Sequence, residues 1–219
     1  MYLTEKLAIS LGKKAKMLLN VDSNKEQIIV YGAINLLQII FSVLWIIVTG
    51  LILGVFYEAL IFSTTASILR KYSGGVHASS PNRCIIIGTT ISCAVGLIVD
   101  KFSYNISLTN TIVMGIFFIT TSFIILILRA PVDSIKKPIT DLNMKKRFKK
   151  NSIIILIVFS IFITVLFVLY ETTSKPYYLK IIHSIILSIL YQSITLTKIG
   201  IIIFKKFDFT LKSITERSY

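Results

Sequence analysis

Six apolar runs, at roughly residues 28–53, 55–69, 85–99, 111–128, 152–170 and 181–204, leave this chain essentially one kind of fold. A helix crossing a ~30 Å hydrocarbon layer needs ~20 apolar residues, and most of these runs reach or approach that length. Hydrophobic residues make up 54% of the 219 and the mean hydropathy is +0.80, well above a typical soluble domain. The second and third runs hold only about 15 residues each, ~22 Å of helix. They must either borrow flanking residues to cross or leave the polar stretch between them sunk towards the bilayer. The expected fold is therefore an all-α integral membrane bundle of about six transmembrane segments, the second and third short, with an N-terminal amphipathic interfacial helix.

Charge placement orients that bundle. With six crossings both termini fall on one side, and that side receives 20 of the 24 lysines and arginines. The other side receives Lys101, Lys175 and Lys180, and Lys198 falls inside the last run. Positively charged loops stay in the cytoplasm, so the termini and the loop around residues 70–84 are expected there. The net charge of +14 is then a topology signal and a contact to anionic membrane lipid. No aromatic stacking platform or helix-turn-helix pattern accompanies it, which argues against nucleic acid as a partner.

No linker, internal repeat or low-complexity tract divides the chain. Residues 1–219 read as a single membrane domain: 1–27 a cytoplasmic amphipathic helix, 28–204 the bundle, 205–219 a cytoplasmic tail. Leu3, Leu7, Leu11, Ala15 and Leu18 recur at helical spacing while the lysines lie largely elsewhere, as in a helix lying along a leaflet. The start of the chain lacks the apolar core and cleavage site of a signal peptide, so it is expected to be retained whole. Gly54 marks the first turn. The central loop, 129–151, opens with Ala130-Pro131-Val132-Asp133-Ser134, continues through Lys136-Lys137-Pro138 and ends in a basic run from Lys145 to Lys150.

Between the second and third runs lies a polar island, Arg70-Lys71-Tyr72-Ser73-Gly74-Gly75-Val76-His77-Ala78-Ser79-Ser80-Pro81-Asn82-Arg83-Cys84. It holds one of two histidines and one of two cysteines. A thiol attacks as thiolate but has an ordinary pKa of ~8.5; an imidazole near ~6.5 can take and return its proton. On a straight helix the seven-residue spacing would separate the two by ~10.5 Å of rise, so the chain must bend between them. Ser80 is a favoured N-cap and Pro81 a favoured first helical residue. A helix beginning there puts Cys84 in or just past its first turn, where partial positive charge favours the thiolate and unpaired amides could hold an oxyanion. Gly74 and Gly75 allow a tight turn and close approach of a peptide. Arg70 either anchors a substrate carboxylate or fixes the loop through backbone carbonyls.

Other candidates carry less. Cys93 lies deep in an apolar run and reads as packing; His183 reads as interfacial at the far end. No third group orienting His77 is evident, since Asn82 is too close in sequence and Asp133 is remote though on the same side; a dyad can suffice. Two histidines and two cysteines so dispersed make a poor zinc site, and no metalloprotease or phosphate-loop pattern is present. No metal or cofactor is expected.

The series Arg70…Gly74-Gly75-x-His77-Ala78…Cys84, followed by Ala130-Pro131-Val132-Asp133-Ser134-x-x-Lys137-Pro138, closely resembles the accessory gene regulator B (AgrB) family over nearly the whole chain. The resemblance implies a bacterial membrane cysteine endopeptidase of quorum sensing. Its substrate would be an AgrD-like propeptide with an amphipathic leader and an acidic C-terminal tail. Cys84 would be the nucleophile and His77 the general base and acid, with Arg70 and Gly75 at positions associated with activity. Gly74, Lys136 and Lys137 would shape the loop or bind substrate. The family further implies a homodimer and a thioester intermediate resolved into a cyclic thiolactone or lactone. The rival readings are a non-enzymatic peptide exporter or exporter subunit, and a membrane acyltransferase.

Overall fold

Residues 3–20, 22–133 and 139–217 are described by a computed structural model, and those residues form eight α-helices. The chain runs through α1 (Leu3–Leu19), α2 (Ser23–Ile52), α3 (Phe56–Ser73), α4 (Pro81–Phe102), α5 (Leu108–Arg129), α6 (Leu142–Thr173), α7 (Tyr177–Ile194) and α8 (Lys198–Arg217). Short polar caps start several of them. Asp22 accepts the Lys25 amide at 2.8 Å, Ser107 the Asn110 amide at 3.3 Å, and Asp141 the Asn143 amide at 2.8 Å. Each cap satisfies an amide that the first turn would otherwise leave orphaned.

Helices α2, α4, α5 and α6 are each long and apolar enough to cross a membrane, and α7 with α8 qualifies only as a sharply bent pair. Helix α3, with 18 residues, is shorter but runs the length of the bundle. Near its start Glu58 pairs with Lys180, at the beginning of α7. At its end Ser73 meets Gln192, at the finish of α7. The third run lengthens by taking in its flanks: α4 reaches 22 residues with Pro81–Cys84 and Asp100–Phe102.

Helix α7 is the axis of the bundle. Leu69, Leu126, Leu156 and Ile163 close around its Ile182, Ile186 and Ile189. Its buried Ser184, Ser188 and Ser193 keep side chains small where neighbouring helices approach. Ser188 donates to the Phe62 carbonyl on α3 at 2.6 Å. Apolar side chains such as Leu44, Phe117 and Ile161 point outward, the arrangement for lipid rather than water.

Three expectations change. The last apolar run is not one span: α7 stops at Ile194 and α8 leaves at 92°. The Thr195 hydroxyl donates to the Gln192 carbonyl at 2.7 Å and that of Thr197 to Ile194 at 2.8 Å. Thr197 in turn accepts the Gly200 amide at 3.1 Å, so a pair of threonines ends one helix and caps the next. Residues after 204 continue as helix α8 rather than as a separate tail. The basic run Lys145–Lys150 likewise forms the first turns of α6.

Candidate functional site

The polar island and the central loop are joined backbone to backbone. Gly74 ends α3 at φ 72° and Gly75 follows at φ 134°, conformations that residues with a β-carbon rarely adopt. Val132 donates its amide to the Ser73 carbonyl at 2.9 Å and accepts the Gly75 amide at 3.2 Å. From α7, the Gln192 side chain donates to Ser73 Oγ at 3.0 Å and to the Gly74 carbonyl at 2.8 Å. Arg70 reaches forward and donates from its guanidinium to the Val76 carbonyl. Of its two expected roles, the geometry displays loop fixation. Its Nε is buried without a hydrogen-bond partner.

Past this junction the chain runs without regular secondary structure through His77, which is exposed, and enters α4 at Pro81. Ser80 is the cap, accepting the Arg83 amide at 3.3 Å. Cys84 is the fourth residue of the helix, half-buried, and its amide bonds to the Ser80 carbonyl at 3.1 Å. The helix start and the position of Cys84 are therefore as expected from Ser80-Pro81. The expected store of unpaired amides is smaller, because Pro81 has none and those of Arg83 and Cys84 are used. Asn82 supplies the remaining first-turn amide.

Helix α8 packs against the island and the start of α4. Its Asp208 accepts Ser79 N–H at 3.0 Å and Ser79 Oγ–H at 2.6 Å on one oxygen, and Arg83 Nε–H at 2.9 Å on the other. Arg83, only 5% exposed, also donates to Ser79 Oγ. Burial alone would raise the Asp208 carboxyl, but the hydrogen bonds from Ser79 and the Arg83 charge outweigh it and hold the carboxyl below its usual range. Ile201, Phe204 and Leu211 of the same helix pack on Val76, Ala78 and Ile87.

The weaker candidates sort plainly. Asp133 pairs with Lys145 at 3.4 Å and accepts the Ile139 amide; Asn82 accepts from Thr4 of α1 at 3.2 Å. Both tie elements together. Cys93 is buried against Ile46 and Ala59, as packing requires. His183, expected at the interface, is 2% exposed, held between Ser103 at 2.9 Å and Thr111 at 3.2 Å at the end of the bundle away from the island. Two neighbouring hydroxyls make its burial tolerable. Lys136, Lys137 and Pro138 lie outside the described residues. A recess of about 330 Å³ lined by Lys146, Lys149, Lys150, Ile153 and Ile154 opens on the first turns of α6.

The family model for accessory gene regulator B matches residues 4–196. The chain belongs to the AgrB family. Two Clostridium perfringens relatives, from strains SM101 and 13 (both type A) and provisionally named AgrB-like, are each 38% identical over 206 residues. The alignment covers 93% of this chain and 96% of each relative. No solved structure matches. The AgrB match takes in both motifs and α1–α7 but ends before α8. Asp208 thus lies outside it, and Gln192 lies inside it on a helix that reads in sequence as a plain span. The Thr195-Leu196-Thr197 triplet, followed by Gly200, was the one local signal that the chain turns there.

Proposed function

We propose that this AgrB-family protein is a membrane cysteine endopeptidase that removes the C-terminal tail of an autoinducer propeptide, with Cys84 as nucleophile and His77 as general base and acid. Family membership implies a part in quorum-sensing peptide processing. The observation that carries the enzymatic reading is Cys84 in the first turns of a proline-started helix, with His77 on the clamped loop that leads into it. Half-burial leaves the sulfur reachable.

His77 takes the thiol proton and Cys84 Sγ attacks the scissile carbonyl carbon. The C–N bond then breaks, and the departing amine takes the proton from the imidazolium, leaving the acyl group as a thioester. A thiol or hydroxyl within the bound peptide attacks that thioester, closes a thiolactone or lactone ring and returns the enzyme thiol. The thioester keeps the acyl-transfer potential that ring closure needs. Cytoplasmic termini and site follow from the loop charges, and the basic run Lys145–Lys150 at the start of α6 suits an acidic tail. Contact with membrane lipid along α1 and α8, and assembly as a homodimer in line with the family resemblance, complete the proposal.

The test is mass spectrometry of an acidic-tailed propeptide incubated with the protein in lipid bilayers. The reading expects tail loss, a trapped adduct on Cys84 and no processing by Cys84→Ala. Wild-type processing by Cys84→Ala would end it.

A further inference from the structure

We infer that Asp208 is a positioning residue for the His77–Cys84 pair, its carboxylate fastening the loop that carries the imidazole to the helix that carries the sulfur. The inference rests on the peptidase reading of the same site and adds to it a residue that lies beyond the family match.

The argument starts from where the three partners stand in the chain. Ser79 follows His77 by two residues and Arg83 precedes Cys84 by one. One carboxylate binds both, through Oδ2 to the amide and hydroxyl of Ser79 and through Oδ1 to Arg83 Nε. The bridge therefore spans the bend that the pair requires. Upstream, the loop is clamped at Gly74 and Gly75 by Val132 and Gln192. Downstream, Ser80 caps α4. Between those clamps, Asp208 ties Ser79 to Arg83 from a helix outside the loop.

Chemistry explains why a carboxylate serves. Arg83 is almost wholly buried, and a buried guanidinium needs a paired anion. A planar carboxylate offers two oxygens, so it can take the arginine on one side and the serine on the other with charge-assisted bonds. Between residues 198 and 214, α8 holds four lysines and a single acid, Asp208. That acid faces the loop, while Lys205, Lys206 and Lys212 are exposed. Apolar contacts from Ile201, Phe204 and Leu211 seat the helix, and Asp208 adds direction to that seating. Asp208 acts through the loop.

A double-mutant cycle tests this, with Asp208→Asn, His77→Ala, their combination, and Asp208→Glu as the conservative control. Two readouts are taken on protein in bilayers: tail removal, resolved into kcat and KM, and the rate of Cys84 alkylation by iodoacetamide at neutral pH. In the wild type, His77→Ala should change the alkylation rate by about fivefold or more. In the Asp208→Asn background the same change should fall below about twofold, because the imidazole is no longer held to the sulfur. Asp208→Asn should lower kcat by about tenfold or more, with KM kept within about threefold, in the range of a lost proton transfer. Asp208→Glu should recover a good part of both. Retained His77 dependence in Asp208→Asn, or a rise in KM with kcat unchanged, overturns the positioning role and leaves the peptidase reading standing. Equal loss in Asn and Glu variants, with the alkylation rate of Cys84 rising to that of unfolded protein, shows a fold requirement and also overturns it. A wild type whose alkylation ignores His77→Ala overturns the catalytic pair and the inference together.

Discussion

A β-carbon on Gly74 would stand 2.1 Å from the carbonyl oxygen of Val132. The two motifs that are far apart in the chain thus meet through their main chains at a distance only glycine permits. This contact sets where the loop bearing His77 leaves the bundle.

Gly74→Ala should therefore be damaging on two counts. The alanine must hold a left-handed φ, costing on the order of 1–3 kcal/mol, and must also displace backbone rather than a movable side chain. We expect tail removal to fall by about tenfold or more, in line with the ~1.4 kcal/mol that corresponds to a factor of ten. Propeptide cleavage per folded molecule is the measurement. Normal activity would mean the junction does not support the site.

Gln192→Leu keeps the volume on α7 but removes both donors to the island. The Gly74 carbonyl and Ser73 hydroxyl lose partners in a buried setting, at a cost of ~1–3 kcal/mol. The expected outcome is a lower kcat and reduced resistance of the island to limited proteolysis. An island protected as in the wild type would count against the clamp.

The two cysteines should separate by labelling. Cys84 is half-buried and Cys93 is 5% exposed, so a membrane-permeant maleimide should modify Cys84 in the folded protein and Cys93 only after denaturation. Cys84→Ala should abolish tail removal. Cys93→Ala removes one sulfur from packing and should leave activity within about twofold, since small core truncations cost on the order of 1 kcal/mol.

The strap from α8 has a pH signature. The Asp208 carboxyl is held low in the folded protein, so its contribution is present above the ordinary carboxylate value of ~3.9 and is lost as pH falls through the lower folded value. Across pH 5 to 8 the strap should be constant. Limited proteolysis of α8 against pH checks this. Release of α8 at pH 6 would contradict it.

His183→Ala should affect stability without touching chemistry. It strips two buried hydroxyls, on Ser103 and Thr111, of their shared partner, a loss of ~1–3 kcal/mol, at the end of the bundle opposite Cys84. The melting temperature should drop while kcat of the folded fraction stays level.

Much of the bundle was legible in the residues. Apolar run length is a property of composition, and Ser80-Pro81 is a start signal complete within two residues. Cys93 could be placed by its apolar neighbours alone. The break at Thr195–Thr197 was missed because hydropathy averages over it, while hydroxyl-to-backbone bonds decide it. The burial of His183 was not legible, because its partners Ser103 and Thr111 lie 80 and 72 residues away in the chain.

By itself, then, the sequence determined that this is a membrane helical bundle and that α4 begins just ahead of Cys84. Those outcomes depend on caps, backbone limits and hydropathy, forces that act within a few neighbouring residues or sum along one segment. Only the tertiary structure decided that Val132 pins Gly74, that Gln192 reaches back 118 residues to the same glycine and that Asp208 reaches back 129 to Ser79. Such partners carry no local mark. They are selected by which helix faces pack together, and that choice belongs to the whole bundle.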